Sequence, residues 1–150
     1  MESFLLDNGL TALFVLSFLA ATILPLGSEW LLVALIVQGI DPIPAVAVAT
    51  AGNFLGACTT YALGFLGSEF LLQKVLRIKA EERERAERFF IRYGSWSLLF
   101  AWLPLVGDPL CLVAGSLRFH FFPFACLVCI GKFGRYAFIA ALTTMGTPLL

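Results

Sequence analysis

Trp102-Leu103-Pro104-Leu105-Val106-Gly107-Asp108-Pro109 interrupts an otherwise apolar run from Gly94 to Leu117. Hydropathy alone would read that run as one membrane helix. Proline removes a backbone donor and clashes with the preceding turn, so a straight helix cannot pass through this stretch. Asp108-Pro109 predicts the start of a new helix, with aspartate at the N-cap and proline at the first helical position. A carboxylate at bilayer depth costs about 2.5–3.5 kcal/mol on insertion scales, so Asp108 is a candidate functional residue from the outset.

The surrounding composition supports the membrane reading. Of 150 residues, 60% are hydrophobic and only 13% charged, with a formal net charge of +0. Soluble domains are about half apolar and about a quarter charged. The chain is therefore read as a single all-α integral membrane domain with no soluble catalytic module beside it. Its first residues carry Glu2 and Asp7 but no Lys or Arg, so a cleaved secretory signal is not expected. Cys58, Cys111, Cys126 and Cys129 lie in apolar runs and are read as small packing residues rather than as a metal or redox set.

A second interrupted run precedes the first. Leu10 to Gly39 is broken at Pro25-Leu26-Gly27-Ser28-Glu29. A continuous helix of that length would extend about 45 Å, too long for one crossing of a ~30 Å hydrocarbon layer and too short for two. Two half-helices meeting near the midplane fit better, provided protein or a wet cavity covers the irregular backbone. Ala45 to Gly67 and Phe124 to Gly146 are clean spans. Gly52, Gly56, Thr60 and Gly64 give the first of them a small-residue face with a G-x-x-x-G spacing, suited to close packing within the chain or in a dimer. Ser68 to Tyr93 holds seven of the ten Lys and Arg residues beside five acids. It reads as an amphipathic connector on the membrane surface, cytoplasmic by the positive-inside rule, and not as a nucleic-acid patch.

Shifted by 79 positions, the chain matches itself. Pro25 falls on Pro104, Glu29 on Asp108, Pro44 on Pro123, Gly52 on Gly131 and Gly67 on Gly146. Each copy, about 10–67 and 94–146, reads as a broken re-entrant segment, a proline-bearing turn and one spanning helix. A re-entrant segment returns to its own side, so each copy crosses once and the two have opposite orientation. That is the inverted-repeat plan of many secondary transporters.

Glu29, Asp108, Lys132 and Arg135 are four ionisable groups at depth. Unpaired they would cost on the order of 10 kcal/mol, so pairing between the acids and the bases is expected. Lys132 and Arg135 share a helix face. With half-helix N-termini they offer a receptor for an anionic headgroup, and a desolvated Glu29 or Asp108 is a candidate proton carrier. Asn53, aligned with Lys132, and Ser28 are candidate cavity-lining residues, with N-capping the alternative for Ser28. Pro25, Gly27, Pro104, Gly107 and Pro109 are the break residues. His120 reads as an interfacial anchor. Phosphate-loop, zinc and Ser-His-Asp patterns are missing from the sequence, so neither an enzyme nor a bound cofactor is expected.

The Pro-x-x-x-Glu tip, the G-x-x-x-G followed by Tyr61-x-x-Gly64, the Arg92-Tyr93-Gly94 entry and the Leu103-Pro104 break together resemble the DedA family, also called VTT-domain or SNARE-associated Golgi-type proteins. Trp102 to Asp108, with Gly131-Lys132 and Arg135-Tyr136, is similar to its short bacterial YqaA-type branch. The resemblance covers roughly Leu10 to Gly146. It implies an inner-membrane flippase or scramblase for phospholipids or polyprenyl phosphates, linked to proton motive force, with Glu29 as the family's first membrane acid. Two features depart from the family pattern: its second acid falls on Ala57, and the arginines of R-F-x-P-x-x-R fall on Ala101 and Gly107. Asp108, Lys132 and Arg135 are the substitutes this chain offers. Membrane lipids and protons are the expected partners, and a homo-oligomer stays open. A proton-coupled transporter of a small solute and a non-transporting membrane scaffold are the alternative readings.

Overall fold

The computed structural model describes residues 2–22, 27–67, 79–103 and 106–146. All regular structure among them is helical: α1 (Glu2–Ala20), α2 (Glu29–Val37), α3 (Pro42–Leu66), α4 (Ala80–Tyr93), a 3-10 segment (Gly94–Trp102), α5 (Gly107–Ser116) and α6 (Phe121–Gly146). The interruptions fall where the sequence predicts them, between α1 and α2 and between the 3-10 segment and α5. Pro25 and Pro104 lie outside the described residues.

Among the described residues, α3 and α6 are the helices long and apolar enough to cross a membrane by length and composition. Asp41 caps α3 by accepting from the Ile43 N–H at 2.9 Å, and Gly67 ends it with a left-handed φ of 68°. The two long helices pack against each other. Asn53 meets Lys132, and the Tyr61 ring lies 4.5 Å from that of Phe124. Moving toward the C-terminus on α3 therefore moves toward the N-terminus on α6, so the pair is antiparallel. Between these contacts Ala57 and Val128 share one buried cluster, and beyond them Ala45 and Ala49 share the other with Tyr136 and Ala140.

The shorter elements are distributed across this pair. α1 and α5 pack on α3, while α2 and the 3-10 segment pack on α6. Glycine makes the close approaches possible. A methyl at Gly52 would sit 2.5 Å from the Phe14 carbonyl oxygen, and one at Gly56 would sit 2.6 Å from that of Phe18. The G-x-x-x-G face is thus occupied by α1 of the same chain, which resolves the choice between internal packing and a dimer at these two residues. At the other end of α3, Gly64 and Gly115 let α3 and α5 approach until each would drive a side chain into the other's backbone.

Two local expectations are corrected and the packing of the connector is added to a third. The helix after the second break begins at Gly107, with Val106 and not Asp108 at its N-cap. Asp108 and Pro109 occupy its first turn, where a missing N–H breaks no helical bond. The half-helix before that break is a nine-residue 3-10 segment, longer than such helices ordinarily run. Finally, α4 turns its apolar side onto the chain itself. Phe89 meets Phe100 at 5.8 Å, Phe90 meets Phe119 at 5.7 Å, and Ala86 is buried between α4 and its neighbours. Its charged face, started by a Glu82 carboxylate that accepts from the Lys79 N–H at 3.2 Å, stays outside.

Candidate functional site: a charged seam between the two breaks

Every polar side chain proposed for the pathway or its cavity, apart from Asp108, is held by a contact between elements far apart in the chain. Lys132 stands midway along α6 and is 3% exposed. Its ammonium donates to the Asn53 side-chain carbonyl, so the two residues matched by the 79-residue offset bond to each other directly. Asn53 in turn donates from its amide nitrogen to the Ser17 carbonyl of α1 at 3.2 Å. A layer of one lysine and one asparagine thus interrupts an otherwise apolar antiparallel seam.

One turn farther along α6, Arg135 forms an ion pair with Glu29, the first residue of α2. Its other terminal nitrogen donates to the Trp102 carbonyl, the last residue before the second break, at 2.9 Å. A single guanidinium therefore spans both interruptions. Tyr136 reinforces the first of them: its hydroxyl lies 2.6 Å from the Ser28 hydroxyl, and both groups are buried. Ser28 occupies the N-cap position of α2, as its residue type predicts, but makes no side-chain capping bond there. Its hydroxyl instead ties the break to α6. Gly27 is confined for a related reason, because a Cβ there would collide with the Glu29 carboxylate.

Asp108 sits partly buried in the first turn of α5, within electrostatic reach of Lys132. No ion pair reaches it from the described residues. The expected pairing of acids with bases is thus realised directly for Glu29 with Arg135, whereas Lys132 satisfies its hydrogen bond with a neutral amide. Gly107 beside it is required by packing, since a Cβ would run into the Ala101 carbonyl. Pro109 is buried in the same turn.

Sequence reasoning missed two participants. The Tyr136 hydroxyl carried a weak signal, a phenol beside a membrane arginine in a span otherwise short of hydrogen-bond partners. The Trp102 carbonyl carried none, because a backbone acceptor becomes free only when the 3-10 segment ends there. Glu29 and Arg135 are 22% and 20% exposed at their side chains, so the pair is desolvated yet reachable.

The sequence matches the VTT-domain family over residues 24–145. It is 44% identical over 138 residues to the inner membrane protein YqaA of Escherichia coli (strain K12), covering 91% of this chain and 92% of that protein. An uncharacterized protein of Haemophilus influenzae is 37% identical over 151 residues, covering 95% of this chain and 90% of its own length. An alkaline phosphatase-like protein of Lactococcus lactis subsp. lactis is 32% identical over 95 residues, which is 57% of this chain and 44% of that protein. No solved structure matches the chain.

Proposed function

This chain belongs to the VTT-domain (DedA) family and is a bacterial inner-membrane protein, and on that premise we propose that it moves a phosphate-bearing lipid between leaflets along the Glu29–Arg135 seam. The observation that carries this reading is the single guanidinium of Arg135, which holds Glu29 after one break and the Trp102 carbonyl before the other. Planar and permanently charged, a guanidinium matches a phosphate as well as a carboxylate, in a two-pronged geometry that an ammonium cannot reproduce. Because its carboxylate partner is about one-fifth exposed, an arriving headgroup can compete for it without unpacking the core.

In this reading the two halves are inverted repeats whose broken segments are re-entrant. The antiparallel α3–α6 pair supports it, as does the bond between offset-related Asn53 and Lys132. So does the exchange of partners, with α5 of the second half on α3 and α2 of the first half on α6. Lys132 and Arg135 then present two cations on one face of α6 to a headgroup, with Asp108 and Glu29 on either side. Protonation of Glu29 would remove the charge that occupies Arg135, and this supplies a route for coupling to the proton gradient: acid protonated, arginine free, phosphate bound; acid ionised, phosphate released. The connector 68–93 lies on the cytoplasmic side.

Reconstitution into vesicles carrying a trace of headgroup-labelled phosphatidylglycerol tests the reading. Lipid movement should exceed that of protein-free vesicles, and Arg135→Gln should abolish the excess. Glu29→Gln, a mimic of the protonated acid, should leave movement that no longer responds to a pH gradient. Absence of lipid movement in wild-type vesicles would sink the proposal, and gradient-driven uptake of a small solute by the same vesicles would replace it with the transporter reading.

A further inference from the structure

The turns that end α2 and α5 have the same hydrogen-bond pattern. After α2, the Gly39 N–H bonds to the Ile36 carbonyl and the Ile40 N–H to the Leu35 carbonyl, each at 3.0 Å. After α5, the Arg118 N–H bonds to the Gly115 carbonyl and the Phe119 N–H to the Ala114 carbonyl, each at 2.9 Å. Both are paired-bond C-caps that require a left-handed residue at their apex, a position where glycine is strongly favoured. Gly39 has φ 93°, and Arg118, which the 79-residue offset places on Gly39, has φ 54°. Arg118 is the only positive-φ residue other than glycine among those described. The first copy thus makes the same cap without a side chain, so an arginine here is not needed for the turn and strains it.

The strained position aims a cation at a specific place. The Arg118 guanidinium lies 5.1 Å from the centre of the Phe65 ring, in the last turn of α3. Tyr61 ties that end of α3 to the same turn by donating to the Phe119 carbonyl. Apolar side chains that adjoin these residues in the chain are open: Leu66 is 71% exposed and Phe122 78%, with Phe65, Leu117 and Phe121 also exposed. A guanidinium with no ion pair among the described residues, near exposed aromatic and aliphatic side chains at the end of a membrane-spanning helix, complements a phosphate with acyl chains attached. It does not suit a soluble anion, which would gain nothing from the apolar surround.

We propose that Arg118, seated over Phe65 at the α5–α6 turn, is a binding site for the headgroup of an anionic phospholipid at the membrane interface. The apolar side chains of Leu66 and Phe122 receive the acyl region. The site rests on membrane residence alone and not on translocation, so it survives if lipid movement is absent.

Arg118→Gly separates binding from folding, because Gly39 shows that glycine makes this cap. Full-length protein in detergent would be titrated with phosphatidylglycerol, phosphatidylcholine or inorganic phosphate and read by native mass spectrometry, with thermal unfolding measured in parallel. Wild type should retain phosphatidylglycerol in preference to phosphatidylcholine, and Arg118→Gly should lose about tenfold of that retention, the effect of one charge-assisted bond. Its unfolding midpoint without lipid should stay level or rise. Arg118→Lys should retain lipid at an intermediate level. A fall in the lipid-free midpoint of Arg118→Gly would mean that the arginine serves the fold. Unchanged lipid retention, or equal retention of inorganic phosphate, would also overturn the proposal.

Discussion

The ion pair between Glu29 and Arg135 should be worth about 1–2 kcal/mol of coupling in a double-mutant cycle. Exposed pairs contribute about 0.2–1 kcal/mol, whereas breaking a buried pair costs about 3–5 kcal/mol because a charge is stranded. At 22% and 20% exposure, Glu29 and Arg135 fall between these limits. The two single replacements should be unequal. Glu29→Gln leaves Arg135 its bond to the Trp102 carbonyl and an amide oxygen opposite, for a loss of about 1 kcal/mol. Arg135→Gln leaves a carboxylate in a desolvated site and also frees the Trp102 carbonyl, for a loss of about 2–3 kcal/mol. The double variant removes the stranded charge and should lose less than the sum. Unfolding in mixed micelles by increasing dodecyl sulfate, followed by circular dichroism, gives the four free energies. Losses that add to within about 0.5 kcal/mol, or a costlier Glu29→Gln, would refute the reasoning that the two groups act as one unit.

Other perturbations probe the seam around this pair. Lys132→Met should destabilise the protein by about 1–3 kcal/mol by orphaning the buried Asn53 carbonyl, and adding Asn53→Leu should recover part of the loss in the same unfolding assay. Gly115→Val should cost roughly 1–3 kcal/mol or prevent folding, because its side chain meets the Tyr61 carbonyl of α3, whereas the same change at Gly134, which has open space around it, should be nearly silent. Ser28→Ala and Tyr136→Phe should each cost about 1 kcal/mol, and together little more than either alone. Cysteines introduced at Gln38 and Met145, in a background without the native thiols, should label from one face of the membrane and one at Lys79 from the other, as antiparallel α3 and α6 require. Labelling of Gln38 and Met145 from opposite faces would contradict that arrangement.

What could be read in the chain itself was set by short-range chemistry. Proline beyond the first turn interrupts a helix and glycine beside it weakens one further, so Pro25-Leu26-Gly27 and Pro104 to Pro109 marked both breaks, while isolated glycines left α3 and α6 continuous. Long apolar runs likewise marked α3 and α6. The 79-residue offset was visible because two copies of one local pattern share their punctuation. Even so, the local rules misjudged the start of α5 by two residues, since Gly107 can approach Ala101 and extend the helix where Asp108 would have capped it.

Partner choice lay beyond such rules. Composition led to the expectation that charges at depth be paired, yet left open which acid met which base. Packing decided that Glu29 takes Arg135 while Lys132 takes an amide, because the antiparallel crossing of α3 and α6 brings residue 53 to residue 132 and turns the next cation toward α2. The amphipathic connector is a similar case. Its periodicity defined an apolar face, and only the presence of Phe100 and Phe119 opposite it settled that protein covers much of that face. Local backbone preferences are written in a few adjacent residues. The identity of a distant neighbour depends on how whole helices cross, and in this chain glycine contacts set how α1 and α5 seat on α3 while side-chain packing sets the crossing of α3 and α6.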